Sequence, residues 1–98
     1  MTANTETVPT DQREKQHTAS YRRDAALVSA GLHRMRRQAG LTQAAVAARL
    51  RRPVSFVGKY ENGYRRLDVI EFLDVAAAIG FDPARFLTNI IDRDRNAA

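Results

Sequence analysis

The residues of this chain with the most chemistry to offer are cations, and they are crowded into one stretch. Eleven basic side chains (Arg22, Arg23, Arg34, Arg36, Arg37, Arg49, Arg51, Arg52, Lys59, Arg65 and Arg66) fall between positions 21 and 66, against two acids, Asp24 and Glu61. That segment carries +9, residues 1–20 carry −1 and residues 67–98 carry −3, which together make the net +5. Arginine outnumbers lysine fourteen to two, and its planar fork suits bidentate contact with phosphate. The charge is either a face that binds a polyanion or a set of solvated helix faces, and charge alone does not choose between them.

Other site-forming residues are absent or scattered. There is no cysteine, which excludes a disulfide scaffold, thiolate zinc ligands and a cysteine nucleophile, and fits a reducing cytoplasm. His17 and His33 have no spaced partner with which to hold a metal. Asp68, Glu71 and Asp74 read as a helix cap and a solvated face rather than catalytic acids. With no phosphate-binding glycine loop and no nucleophile motif, neither an enzyme nor a cofactor is expected.

The elements that must position these cations are helical. At 98 residues the chain is one small domain. Residues 1–20 are polar, threonine-rich and without apolar periodicity, and read as a flexible tail. Thr10 to Gln16 contains helix formers but no apolar face to bury, so it is left in that tail. The N-terminus lacks the basic and apolar regions of a signal peptide, and no apolar run approaches the roughly 20 residues of a membrane span. A cytoplasmic location without membrane contact follows as the expectation.

Ser20 reads as the cap of a first helix, with Val28, Leu32, Met35 and Ala39 on one face and Gly40 as its stop. Thr42 caps a second, Gln43 to Leu50, burying Val46, Ala47 and Leu50. Arg51-Arg52-Pro53 interrupts it, and a third helix runs from Pro53 to Asn62, burying Val57 and Tyr60 before Gly63. Asp68, with Glu71 three residues on, forms a capping box for a fourth. The apolar residues of that helix (Val69, Ile70, Phe72, Leu73, Ala76, Ala77 and Ile79) cover so much of its surface that it is expected at the centre of the core. Asp82-Pro83 opens a fifth, with Phe86, Leu87, Ile90 and Ile91 as its stripe. The domain then spans residues 21–92, with a frayed end over 93–98, and no segment alternates like a strand.

Residues 27–91 resemble the phage Cro/repressor-like, XRE-type helix-turn-helix family. Gly40-Leu41-Thr42-Gln43 matches its entry into the second helix, and Val46, Ala47 and Leu50 its small and apolar positions. Val57, Tyr60, Glu61 and Gly63 match the close of the third helix, and Leu67 to Gly80 the fourth. The resemblance implies an all-α, compact five-helix, lambda-repressor-like domain. It further implies a bacterial or phage transcriptional regulator that binds double-stranded DNA as a homodimer on a palindromic operator, with the 53–62 helix in the major groove.

Burial of Val57 and Tyr60 leaves Val54, Ser55, Gly58, Lys59 and Asn62 outward on the third helix. Aligned with the family, Val54, Ser55 and Lys59 take base-reading positions: Ser55 and Lys59 for base edges, Val54 for a thymine methyl. Gly58 departs from the family's usual polar side chain, which a close approach of backbone to the groove, or simple drift, would explain. Phe56 departs from a small hydroxyl and is expected partly buried against the second helix. Gln43, Arg51, Arg52, Tyr64, Arg65 and Arg66 flank the reading helix as phosphate contacts, with Arg22 and Arg23 as additions. Glu61, an acid beside such a helix, needs another role, and the resemblance implies an internal ion pair with Arg36.

The apolar stripe of the fifth helix exceeds what one small core needs, so Phe86, Leu87, Ile90 and Ile91 are expected at a two-fold dimer interface. Two alternatives use the same scaffold: an antitoxin that binds DNA and a partner toxin, and a protein-binding adaptor that reads no DNA. The outward Lys59 and the arginines at 51, 52, 65 and 66 argue against the adaptor.

Overall fold

The computed structural model describes residues 10–97, with side chains described over 19–93. Five helices follow one another: α1 Thr10–Gln38, α2 Gln43–Leu50, α3 Val54–Glu61, α4 Val69–Ile79 and α5 Pro83–Ala97. No helix among the described residues is long and apolar enough to cross a membrane.

Local chemistry sets the boundaries. Thr42 accepts a hydrogen bond from the Ala45 amide at 3.0 Å and starts α2. Asp68 and Glu71 exchange side-chain-to-backbone bonds of 2.7 and 3.0 Å, completing the capping box of α4. Asp82 accepts from the amides of Ala84 and Arg85 at the start of α5. Gly80, at φ 97°, turns the chain left-handed after α4, a conformation that costs glycine nothing.

The first helix begins at Thr10, ten residues before the expected cap at Ser20. Gln, Arg, Glu and Lys in this stretch are good helix formers, and adding turns to a helix already nucleated is cheap. The remainder of the expected tail, residues 1–9, lies outside the described residues, as does the side chain of His17. At the other end, α5 continues as helix to Ala97 rather than fraying after residue 92.

The core takes Leu32 from α1, Val46 and Ala47 from α2, Val57 and Tyr60 from α3, and Val75 from α4, all essentially sealed from solvent. Phe72, Phe81 and Phe86 add an aromatic cluster with ring centroids 5.2–6.1 Å apart. Two expectations are corrected here. The fourth helix is not surrounded by core: Phe72, Val75, Ala76 and Ile79 point inward, whereas Val69, Ile70 and Leu73 are exposed, the first two at 72% and 66%. And Phe86 and Ile90 are buried within their own domain, because α5 packs against α1 and α4. They are therefore unavailable as interface residues, and only Leu87 and Ile91 of the predicted four remain exposed.

The Phe86 ring seats against α1 at Gly31, where an added Cβ would lie 2.8 Å from the ring. Gly58 of α3 is different: a Cβ there would meet only the Gln43 Oε1, at 3.7 Å, an ordinary contact. The two helical glycines should therefore respond to alanine with opposite signs. Gly31→Ala is expected to lose about 1–3 kcal/mol through overpacking, although alanine is the better helix former. Gly58→Ala is expected to gain up to about 1 kcal/mol. Thermal melts of both variants check the pair.

Candidate nucleic-acid interface

The third helix owes its orientation to the turn before it. Arg51 leaves α2 at φ 58°, ψ 43°, the left-handed region. Its amide bonds the Ala48 carbonyl at 3.2 Å, and the Arg52 amide bonds Ala47 at 3.0 Å, so the last carbonyls of α2 are satisfied. Pro53 is extended and α3 starts on its far side. Phe56, Val57 and Tyr60 face the core, which leaves Val54, Ser55, Lys59 and Asn62 exposed and Gly58 half-buried. Phe56 is more completely covered than expected, at 7% exposure.

At the C-terminal end of α3, Glu61 lies at the junction of three helices. Its side chain is 2% exposed and that of Arg36 8%. Arg36 grips both carboxylate oxygens, from Nε to Oε2 at 2.7 Å and from NH2 to Oε1 at 3.0 Å, and its NH1 donates to the Leu41 carbonyl at 2.9 Å. His33 Nδ1 and Gln43 Nε2 reach the same Oε1 at 2.9 and 3.1 Å. A carboxylate only accepts, so Gln43 presents its amino group, and His33 donates to Oε1 in the tautomer with its hydrogen on Nδ1; in the other tautomer that nitrogen faces Arg36 NH2 at 3.2 Å. Burial pushes the Glu61 carboxyl up, but the bonds from Arg36, His33 and Gln43 outweigh it and hold the group below its ordinary value.

The N-terminal side of α3 is held by a second acid. Glu71 receives a fork from Arg65 at 3.0 and 2.9 Å and a longer contact from Arg52 at 3.4 Å. Both guanidinium groups lie over the Phe56 ring, 4.5 and 4.8 Å from its centroid, within the range of a cation–π attraction. The Arg65 fork and the Asp68 amide bring the Glu71 carboxyl down to about 2.

The predicted phosphate contacts therefore divide. Arg51, Tyr64 and Arg66 are exposed around α3, Tyr64 at 84%, with Arg66 also 5.2 Å over the Tyr21 ring. Arg52 and Arg65 are engaged by Glu71 while their side chains stay 44% and 37% exposed, and Gln43 is engaged by Glu61. Arg22 and Arg23 are exposed along α1, well after its start. Three features were missed in the sequence. His33 joins the Glu61 cluster, and its position three residues before Arg36 on one helix was the available signal. Arg49 donates to the Ala78 carbonyl at 2.7 Å, joining α2 to the end of α4. The left-handed Arg51 had no signal, because glycine or asparagine usually marks such a position. Among the described residues, no group of acids and histidines could hold a metal.

Glu61 and Glu71 are both more acidic folded than their ordinary 4.5. Their contribution is complete above that value and is lost as pH falls, because the unfolded chain takes up the protons first. Urea midpoints should be flat near neutrality and decline from about pH 4.5 towards the Glu71 value of about 2. Glu71→Gln should start lower at neutral pH and decline less steeply, and a titration of midpoint against pH measures both.

Comparison with known proteins places this arrangement. A family model described as a helix-turn-helix domain matches residues 28–87. Among solved structures, the chain is similar to an XRE-family like protein from Pseudomonas syringae pv. tomato str. DC3000, with 46% identity and a TM-score of 0.72 over 81% of this chain and 95% of that one. It is also similar to the restriction-modification controller protein C.AhdI from Aeromonas hydrophila, with 27% identity and a TM-score of 0.60 over 64% of this chain and 96% of that one. No match was found among the curated proteins. With α2 and α3 joined by a tight turn inside a five-helix domain, and these matches across most of its length, the chain belongs to the XRE/Cro-type helix-turn-helix family of non-catalytic, DNA-binding regulatory proteins.

Proposed function

We propose that this chain is a sequence-specific transcriptional regulator that sets α3 into the major groove of double-stranded DNA as a homodimer on a palindromic operator. It would act in the cytoplasm of a bacterium or on phage DNA. The observation that carries this reading is the exposed face of α3, Val54, Ser55 and Lys59, standing beside a cation in a strained backbone position. A left-handed non-glycine residue costs about 1–2 kcal/mol, and here that residue is Arg51, at the turn. Keeping arginine where glycine would be cheaper is explained by a phosphate that its guanidinium meets. Ser55 and Lys59 then reach base edges and Val54 a thymine methyl. Arg51, Tyr64 and Arg66 hold the backbone, while Arg52 and Arg65, already shared with Glu71, add mainly to the field.

The dimer surface is best drawn from α4 and α5 together. A groove of about 560 Å³ runs between α1, α4 and α5, with Val28, Phe72, Leu73 and Leu87 in its lining. Val69 lines it as well, and Ile70 of α4 and Ile91 of α5 are exposed. Ridge and groove on one face are what a two-fold contact needs, since each copy offers both. Such a dimer presents its two reading helices about 34–36 Å apart, one turn of the duplex.

Three measurements test these statements. A gel shift on the chain's own upstream DNA should lose roughly a thousandfold in affinity between about 50 and 200 mM salt, as for about six neutralised phosphates per dimer. Arg51→Gly should melt no lower than the parent, bind every duplex more weakly, and reduce the salt slope by roughly two per dimer. Unchanged DNA affinity in that variant removes the role of Arg51. By sedimentation, the parent should be a dimer at high micromolar concentration and Ile70→Glu a folded monomer. A monomeric parent rejects the homodimer and hands the face to a different protein, as the antitoxin alternative requires.

A further inference from the structure

We infer that Gln43, the first residue of α2, is a specificity-determining residue: its side-chain carbonyl accepts a hydrogen bond from the exocyclic amino group of a base. The inference rests on the DNA-binding reading above and adds to it a contact made from outside the reading helix.

Glu61 fixes the orientation of this amide. Its carboxylate is ionised and anchored to Arg36 by two short bonds, so it is a fixed acceptor. Gln43 meets it at 3.1 Å through Nε2. An amide turned the other way would set one carbonyl oxygen against a carboxylate, with no hydrogen between them. The orientation of the Gln43 amide is thereby decided by the protein before any DNA arrives, and Glu61 is its positioning residue. The carbonyl oxygen then has one place to go. It lies 3.7 Å from the point that a Cβ of Gly58 would occupy.

That point is on the outward side of α3. Phe56, Val57 and Tyr60 mark the buried side, and at 100° per residue Gly58 falls opposite them, between Val54 and Asn62. A residue with a longer side chain at position 58 would project into the groove itself and crowd the amide. Glycine leaves the space, and Gln43 fills it from the neighbouring helix. The missing side chain and the displaced amide are one feature.

The chemistry of that atom selects its target. A carbonyl oxygen only accepts, and phosphate oxygens only accept, so a phosphate could be met only by the second hydrogen of Nε2, and Oε1 itself is left for a donor. In the major groove the donors are the amino groups of adenine N6 and cytosine N4. A contact of this kind reports sequence, whereas a phosphate contact weakens or strengthens binding to every sequence alike.

The experiment selects preferred sites from random duplexes with the full chain, and repeats the selection with Gln43→Met, which keeps length and removes the amide. The parent should enrich a motif with adenine or cytosine at one position per half-site where the variant has lost its preference. On the parent's motif Gln43→Met should bind about tenfold more weakly, with affinity for random duplex unchanged; its thermal midpoint should fall through the lost bond to Glu61, with both proteins still folded at the assay temperature. Replacing that base by its analogue without the amino group should weaken the parent about tenfold and leave Gln43→Met unaffected. An equal loss on motif and random duplex makes Gln43 a phosphate contact and overturns the inference. No loss on either makes it a structural partner of Glu61 and overturns it as well. A parent that enriches no motif at all removes the regulator reading first, an outcome distinct from the other two.

Discussion

Everything that α3 presents depends on one buried carboxylate. Glu61 sits where α1, α2 and α3 meet, and each of these helices sends it a donor: His33 and Arg36 from the first, Gln43 from the second. A charge this far from water is tolerable only when paired and fully bonded, and losing one partner would leave the other stranded. The cluster therefore adds direction more than stability. It allows one relative placement of the three helices, because in any other the carboxylate or the Arg36 guanidinium would be buried without its partner.

A second acid completes the clamp. Glu71 lies outside the reading unit, at the head of α4, yet it draws Arg52 from the turn and Arg65 from the loop after α3 onto the Phe56 ring. The helix is thus held near its start by two arginines and an aromatic face, and at its end by Glu61. A rod fixed at both ends loses little conformational freedom on meeting a partner, and less of the binding energy is spent on ordering it. The same contacts consume cations. Of the positive side chains around α3, some stabilise the placement of the helix and others face outward. Net charge does not distinguish the two kinds.

The packing of α4 and α5 shows how a small core is shared out. Aromatic rings at Phe72, Phe81 and Phe86 fill the space under α5, with Gly31 admitting the last of them close to α1. That packing spends the inner faces of α4 and α5 on the domain itself. What remains outside is a second apolar stripe, Val69, Ile70 and Leu73 with Leu87 and Ile91. A chain of this size buries a smaller fraction of its surface than a larger domain does, and an apolar face of such extent is more than solvent exposure alone would favour.

The amino-acid order by itself determined the number and kind of elements, the caps at Thr42, Asp68 and Asp82, and the break at Arg51-Arg52-Pro53. These depend on neighbours three or four residues apart, and that is the distance over which capping bonds and helical periodicity act. It also exposed the outward face of α3, since Val57 and Tyr60 are spaced as one buried stripe. Tertiary structure decided the rest. Whether Arg52 and Arg65 stood free or were tied to an acid depended on Glu71 arriving from another helix. Whether Phe86 and Ile90 served a partner or their own core depended on α1 and α4 closing over them. The fourth helix looked central because nearly all its residues are apolar, but hydrophobicity does not say how many sides have neighbours. Arg51 turned left-handed because the packing of α2 on α3 demands a sharp corner there, and a side chain's type does not reveal a strain imposed from outside it. Pairings across a fold are selected by geometry among several chemically equivalent partners, and that choice is made only when the helices meet.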